Sequence, residues 1–349
     1  MSTFSELYKT IRIKEIKEEI KGFKLFVFKD GHNITYQSGQ YLTLVTMHNK
    51  QEVRRSYSIT SAPILKEPLS IGVKRIENGI FSRLLIDHAQ VGDELVTIGS
   101  GGFFTLPENI RDYQQLFFFA AGSGITPIYS LLKTALHEHP HLSVVLIYSN
   151  ASLHKTAFFQ ELMQLKEDFG NRFHPEFLFS NAANLSKARL HRDLLFQLIK
   201  TLAAPGWAQI LHYICGPQSY MRMCTYTLQE MGMPHENIRK ENFIIETVRH
   251  ASVAPPDKAE HRVQIVLPHK MYEIAVQYPD TILSAAKKQG ISLPYSCEAG
   301  RCGNCVARCT KGTVWHSYNE VLTDKELNKG LILTCVAYPI GGDVRLEIG

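Results

Sequence analysis

The chain is 349 residues long, 44% hydrophobic and 20% charged, with a formal net charge of +5. That length allows two or three domains with real cores, and that balance excludes wholesale disorder. The positive charge is spread out with no Lys/Arg block, which argues against nucleic acid or a membrane surface as a partner, and no apolar run is long enough to cross a bilayer.

Residues 7–106 read as short strands divided by turns. Tyr8 to Ile16, Phe23 to Phe28, Tyr41 to Met47, Arg54 to Thr60, Leu69 to Arg75 and Glu94 to Ile98 alternate or run apolar, with Asp30-Gly31-His32-Asn33, Ser38-Gly39 and Val91-Gly92-Asp93 between them. Such spacing points to an antiparallel barrel or sandwich. One helix, Phe81 to His88, interrupts it. On an extended Arg54 to Thr60, Arg55, Tyr57 and Ile59 share a face, so a cation and an aromatic plane could meet one ligand, an Arg for pyrophosphate and a Tyr for a flat heterocycle. Plain cross-strand packing would give the same pattern. Gly79-Ile80-Phe81-Ser82 is a glycine turn feeding a helix, which suits phosphate and equally suits an ordinary helix start.

From about residue 107 strands alternate with helices. Gln115 to Ala120, Ser143 to Tyr148, Glu176 to Phe179 and Ile210 to Cys215 read as buried strands, and Ile125 to Leu136 and Phe158 to Glu167 as helices. Alternation of this kind predicts a parallel sheet with helices on both faces and a ligand at the carboxyl ends of its strands. Gly122-Ser123-Gly124-Ile125-Thr126-Pro127 and Cys215-Gly216-Pro217-Gln218-Ser219-Tyr220-Met221 both fall at such an end, where glycines let backbone amides approach a pyrophosphate. For Cys215 a small buried apolar residue is an equal reading. Ala251 to His261, with Pro255-Pro256, reads as a linker.

Beyond residue 262 a hairpin (Val263 to Leu267, Tyr272 to Val276) and a helix (Thr281 to Gln289, ended by Gly290) precede a cysteine loop. Four residues separate Cys297 from Cys302 and two separate Cys302 from Cys305, with Cys335 supplied later by an apolar strand. This is the plant-type spacing for a [2Fe–2S] cluster. Zinc also accepts four thiolates, although its usual sites pair two cysteine knuckles. Cys309 imitates part of a bacterial four-iron run, but Thr310 stands where that run has Pro, so Cys309 is expected to be an ordinary buried thiol. Ten Lys/Arg against eight Asp/Glu leave residues 262–349 close to neutral. The chain opens without a charged start, apolar core and cleavage site, so reduced thiols and a cytoplasmic location are expected.

In this order the motifs resemble the ferredoxin–NADP reductase superfamily. Its Arg-x-Tyr-Ser motif matches Arg55, Tyr57 and Ser58, and its Gly-x-x-Ser motif matches Gly79 and Ser82. The resemblance implies FAD, with Arg55 on the pyrophosphate, Tyr57 stacked on the isoalloxazine, Ser58 near its N5, and Gly79, Phe81 and Ser82 on the phosphates. It also implies that Val73 and Lys74 line the flavin through their backbones. Gly99-Ser100-Gly101-Gly102-Phe103-Phe104 resembles the turn that closes that barrel, with Ser100 in place of the usual Pro. Gly122, Gly124 and Pro127 would hold the dinucleotide, Thr126 and Cys215 would flank the nicotinamide, Gly216, Pro217 and Met221 would shape its pocket, and Phe243 would cover the flavin's far face. Ser58 and Cys215 would be the catalytic residues. Relatives that prefer NADPH usually carry an Arg just past Asn150, where this chain has Ala151. Ser180, Lys187 and Arg189 could still hold a 2′-phosphate, and both nucleotides stay open.

The C-terminal segment resembles the β-grasp of plant-type ferredoxins. The implied architecture is therefore multidomain: an antiparallel β-barrel flavin domain (1–106), an α/β parallel-sheet nucleotide domain (107–243), a linker (244–261) and an α+β ferredoxin domain (262–349). As a whole the chain resembles the reductase components of multicomponent oxygenases, such as those serving phenylacetyl-CoA epoxidation and steroid hydroxylation. That implies hydride transfer from NAD(P)H to FAD and single electrons passed through the cluster to a separate acceptor protein. A reductase for a hybrid-cluster acceptor and a non-enzymatic metal-binding module are the alternatives.

Overall fold

A computed structural model describes residues 7–184, 188–204, 206–243 and 253–348, which leaves Lys187 and the first half of the expected linker outside the described residues. The chain divides into two compact bodies. The first comprises Lys9–Ser100 and Phe104–Phe243, and the second Gly101–Phe103 with the C-terminal segment.

The first body begins with six strands, β1 (Lys9–Ile20), β2 (Phe23–Phe28), β3 (Tyr41–His48), β4 (Gln51–Ser58), β5 (Ser70–Lys74) and β6 (Glu94–Gly101), in the order β4-β3-β6-β1-β2-β5. A bridge between Ile59 and Ile71, backed by the Thr60 N–H bond to the Ser70 carbonyl (2.9 Å), joins the two ends and closes the sheet into a barrel. Alternate residues such as Ile11, Ile13, Phe26, Phe28, Leu42 and Leu44 fill it, as the period of two requires. β1 runs four residues past the expected Ile16 because it stays paired with β2 as far as Ile20 opposite Phe23. The interrupting helix, α1, starts at Ile80 and ends at Arg83, where a wider π turn over Leu84–His88 takes over.

The same body continues as a wholly parallel sheet of β7 (Gln115–Ala121), β8 (Ser143–Asn150), β9 (Phe173–Phe179), β10 (Ile210–Cys215) and β11 (Ile238–Glu241), in the order β11-β10-β7-β8-β9. Leu116, Phe118, Leu146 and Tyr213 face α2 (Ile125–Glu138) and α3 (Phe159–Phe169). Phe117, Phe119, Ile147 and Ile214 face α4 (Arg192–Leu202) and α5 (Gln218–Glu230). Burial on both faces explains why these strands read as unbroken apolar runs. β9 starts at Phe173, earlier than expected, and accommodates Pro175 because it is the edge strand.

The second body is a mixed sheet of β12 (His261–Leu267), β13 (Lys270–Val276), β14 (Val306–His316), β15 (Leu331–Leu333) and β16 (Ala337–Glu347), in the order β13-β12-β16-β14-β15. β12 and β16 are parallel and the other neighbours antiparallel, the β-grasp arrangement. Helix α6 (Ile282–Lys288) packs on it through Ile282, Leu283 and Ala286, capped by Thr281, which accepts the Ser284 N–H at 3.1 Å. A short α7 (Asp324–Asn328) precedes β15. Within the expected linker, Asp257 accepts N–H bonds from Gly341 (2.8 Å) and Ala259 (2.9 Å) and meets His261 Nε2 at 2.7 Å, which ties that stretch to this body. Among the described residues no helix is long and apolar enough to cross a membrane.

Candidate functional site

The two barrel motifs meet through their rings. Tyr57 on β4 and Phe81 on α1 stand edge to face at 6.1 Å, which joins the Arg-x-Tyr-Ser strand to the glycine turn. Tyr57 is half-buried, and burial pushes its hydroxyl pKa up, so it presents a neutral ring. Of the two adjacent arginines, Arg54 is buried against Glu52 (2.6 Å), whereas Arg55 is exposed with its guanidinium folded onto the Arg54 carbonyl (2.7 Å). Ile59, expected on the same face, lies beyond the end of β4 in the barrel-closing bridge. Ser58, Val73, Phe81 and Ser82 are buried. Ser82 Oγ accepts the Ile76 N–H (3.2 Å), and a Cβ on Gly79 would lie 2.4 Å from that oxygen, so a side chain there would displace the Ser82 hydroxyl from this bond. Lys74 is exposed at the end of β5.

In the parallel sheet the strand order reverses between β7 and β10. The two glycine motifs follow these two strands, at the carboxyl edge where open α/β sheets bind ligands. They are packed against each other: a Cβ on Gly124 would sit 2.1 Å from the Cys215 carbonyl oxygen, and one on Gly216 would sit 2.9 Å from Ala121 Cβ. Gly122 adopts φ +55°, and Pro127 falls in the first turn of α2, where its missing N–H costs no helix bond. Pro217 is exposed, while Met221 is buried on the α4/α5 side.

Barrel and sheet adjoin at this point. A Cβ on Gly72 of β5 would come within 2.5 Å of Thr126 Cγ2, and a Cβ on Gly122 would lie 3.9 Å from Lys74 Nζ. Gly72 escaped the sequence reading, although a glycine inside a strand is itself a sign of close approach. Tyr220, part of the second motif, donates to the Ala120 carbonyl at 3.3 Å and crowds Gly216, a role the motif alone does not reveal. Thr126 is 2% exposed and Cys215 1%, so both stand behind the crevice surface, and burial raises the Cys215 pKa and keeps it a thiol. Phe243 is 40% exposed.

The cysteines form two close pairs. Cys305 and Cys335 have sulfurs 3.2 Å apart, and Cys297 is hydrogen-bonded to Cys302. Cys335 sits in the turn 334–336 between β15 and β16, not on the apolar strand expected to carry it. Thr334 fixes that turn by donating both its N–H and its hydroxyl to the Cys305 carbonyl, each at 3.1 Å. Loop amides converge on the sulfurs: Ala299 (3.4 Å), Arg301 and Cys302 on Cys297, Gly300 on Cys335, and Asn304 on Cys302. Left-handed residues at Glu298, Gly300 and Gly303 turn those amides inward. The Cys302 partner, helped by the amides, draws the Cys297 pKa down to about 6, whereas Cys302 and Cys335 are pushed up by their paired sulfurs and burial. Among the described residues no three such side chains surround a single ion position. Two dithiol pairs wrapped in amides suit two irons, each taking two thiolates. Cys309, expected to be buried, is half-exposed on β14 and donates to the Lys311 and Gly312 carbonyls.

Comparison with known proteins agrees with this layout. Family models describe residues 8–106 as an oxidoreductase FAD-binding domain, 118–225 as an oxidoreductase NAD-binding domain and 268–339 as a 2Fe-2S iron-sulfur cluster binding domain. The chain is 32% identical over 317 residues to a subunit of the 1,2-phenylacetyl-CoA epoxidase of Escherichia coli, covering 89% of this chain and 88% of that protein. It is 30% identical over 350 residues to the ferredoxin reductase component of 3-ketosteroid-9-alpha-monooxygenase from Mycolicibacterium smegmatis, covering 96% of each. Phthalate dioxygenase reductase shares the fold over 98% of both chains with a TM-score of 0.58 at 22% identity. A ferredoxin NADP+ reductase from Neisseria gonorrhoeae shares it over 69% of this chain and all of its own, with a TM-score of 0.60 at 24% identity. The chain belongs to the ferredoxin–NADP reductase superfamily, among the members that carry a plant-type [2Fe–2S] domain. It is an NAD(P)H-dependent flavin and iron–sulfur oxidoreductase whose cofactors are FAD and a [2Fe–2S] cluster.

Proposed function

We propose that this chain is the reductase component of a multicomponent oxygenase, with an oxygenase of the phenylacetyl-CoA epoxidase kind as its acceptor. The observation that carries this reading is the similarity, at about 30% identity over nearly the whole length, to a subunit of phenylacetyl-CoA epoxidase and to the ferredoxin reductase component of a ketosteroid monooxygenase. When bound, flavin accepts a hydride and the cluster carries one electron at a time, so the pair converts a two-electron donor into single-electron deliveries.

The residues supply positions and charges for that chemistry. Arg55 would offer a fork of donors to the flavin pyrophosphate, the Tyr57 ring would give a neutral plane for the isoalloxazine, and Ser58 would act near its N5. Gly79, Phe81 and Ser82 hold the phosphates, with the Val73 and Lys74 backbones along the edge. The crevice between Gly122–Gly124 and Gly216–Pro217 takes the nicotinamide nucleotide, with Pro127 and Met221 shaping it. Thr126 and Cys215 act from behind as positioning groups, and Phe243 shields the flavin's other side. Cys297 with Cys302, and Cys305 with Cys335, would each hold one iron. In this reading the modules span 1–106, 107–243 and 262–349, joined by 244–261.

The test is reconstitution. NAD(P)H, the purified chain and the purified oxygenase subunits of a phenylacetyl-CoA epoxidase should together consume phenylacetyl-CoA and oxygen. NAD(P)H oxidation without substrate turnover, paired with efficient reduction of a hybrid-cluster protein, would assign the chain to a different acceptor.

A further inference from the structure

The cysteine loop has three left-handed positions, and two of them, Gly300 and Gly303, are glycine. The third is Glu298, at φ +53°, directly after Cys297. A residue with a Cβ occupies that region only at a cost, which a contact holding its side chain helps to offset. Its carboxylate is bound by both oxygens to Lys287 Nζ, at 3.0 and 3.1 Å. Lys287 belongs to α6, whose Ile282, Leu283 and Ala286 are in the core of this body, and its ammonium also lies over the Tyr295 ring at 4.3 Å. The pair thus ties the first turn of the loop to the helix beneath it. That turn begins the run of amides in which Ala299, Arg301 and Cys302 point at Cys297 and Gly300 at Cys335.

We propose that Glu298 and Lys287 are positioning residues for the cluster: their ion pair locks the left-handed turn that aims the loop amides at the cysteine sulfurs, and so sets the cluster's reduction potential. Hydrogen bonds to the sulfurs favour the reduced, more negative cluster, and losing their alignment makes it harder to reduce. The inference rests on the assignment of the four cysteines as ligands.

Two variants separate positioning from simple charge. In a redox titration followed by electron paramagnetic resonance, Lys287→Met and Glu298→Gln should both shift the midpoint potential to more negative values and broaden the signal, while Lys287→Arg keeps both at wild type. A plain surface-charge effect moves the two in opposite directions, negative when the cation is lost and positive when the anion is lost. That result, or no shift in either variant, would overturn the proposal. Iron content and visible spectrum of Cys335→Ala test the ligand assignment separately, since a cluster retained there would sink that assignment whatever the potentials of the other three variants do.

Discussion

The Cys305 and Cys335 sulfurs lie 3.2 Å apart across 30 residues of sequence, held by the two bonds from Thr334 to the Cys305 carbonyl. The fourth thiol is therefore placed by the backbone geometry of the turn that carries it.

That placement gives the first prediction. Cys335→Ala should lose the iron–sulfur absorption and drop NAD(P)H-dependent cytochrome c reduction to background, while reduction of ferricyanide by the flavin persists. Equal loss of both activities would make Cys335 a folding residue. Thr334→Ala removes a buried hydroxyl donor and should cost about 0.5–1.5 kcal/mol of stability with the cluster retained, read from the unfolding midpoint.

Flavin binding should depend on Arg55 more than on its buried neighbour. Under its proposed role on the pyrophosphate, Arg55→Ala should cost a charge-assisted contact of about 1.5–3 kcal/mol, which corresponds to roughly 10- to 150-fold in flavin affinity. Arg54→Ala should lower thermal stability instead, since Arg54 is buried against Glu52. Gly79→Ala should also release flavin, because the new Cβ meets Ser82 Oγ at 2.4 Å. Flavin retained per protein after gel filtration distinguishes these outcomes.

Much of this site was legible because its signals are local. The cysteine spacing, the glycines after β7 and β10 and the Arg-x-Tyr-Ser strand need no tertiary information. What the sequence hid was tertiary. Leu331 to Tyr338 looks like one apolar strand, and only the pairing of β15 and β16 with β14 shows that Cys335 occupies a turn. Helix α4 and strand β11 went unread. In α4 just Leu194, Leu195 and Ile199 are buried, and β11 is a four-residue edge strand. Cys215 read as an equal choice between site and core because its burial depends on α2 packing over β10.

The contact between the two nucleotide motifs predicts a strong effect from one methyl group. Gly124→Ala places a Cβ 2.1 Å from the Cys215 carbonyl oxygen, a backbone atom that cannot swing aside. Overpacking of this kind costs about 1–3 kcal/mol, and it should raise the KM for NAD(P)H while flavin content stays unchanged. An unaltered KM would remove the crevice from the nucleotide site.

Buried His212 makes the parallel sheet acid-sensitive. Its ring is fully buried and stacked with Phe117 (5.7 Å) and Phe119 (6.4 Å), and burial lowers its pKa to about 3 against a weaker pull from the Asn237 backbone. The unfolded chain takes up a proton near pH 6.5, whereas the folded one stays neutral until about 3. Stability is therefore intact above the unfolded value and falls by about 1.4 kcal/mol per unit as pH drops below it. His212→Phe should flatten that slope in urea titrations at pH 5 and 7, followed by Trp207 fluorescence in a Trp315→Phe background. An unchanged slope would place the acid sensitivity elsewhere.

Electron passage from nucleotide to cluster is tested most directly by adding NADH or NADPH to the oxidised holoprotein without oxygen and recording the electron paramagnetic resonance spectrum. The expected result is a rhombic signal of a reduced [2Fe–2S] cluster that disappears when flavin is stripped and returns when FAD is restored. Flavin that bleaches with either nucleotide while the cluster stays oxidised and silent would contradict the relay.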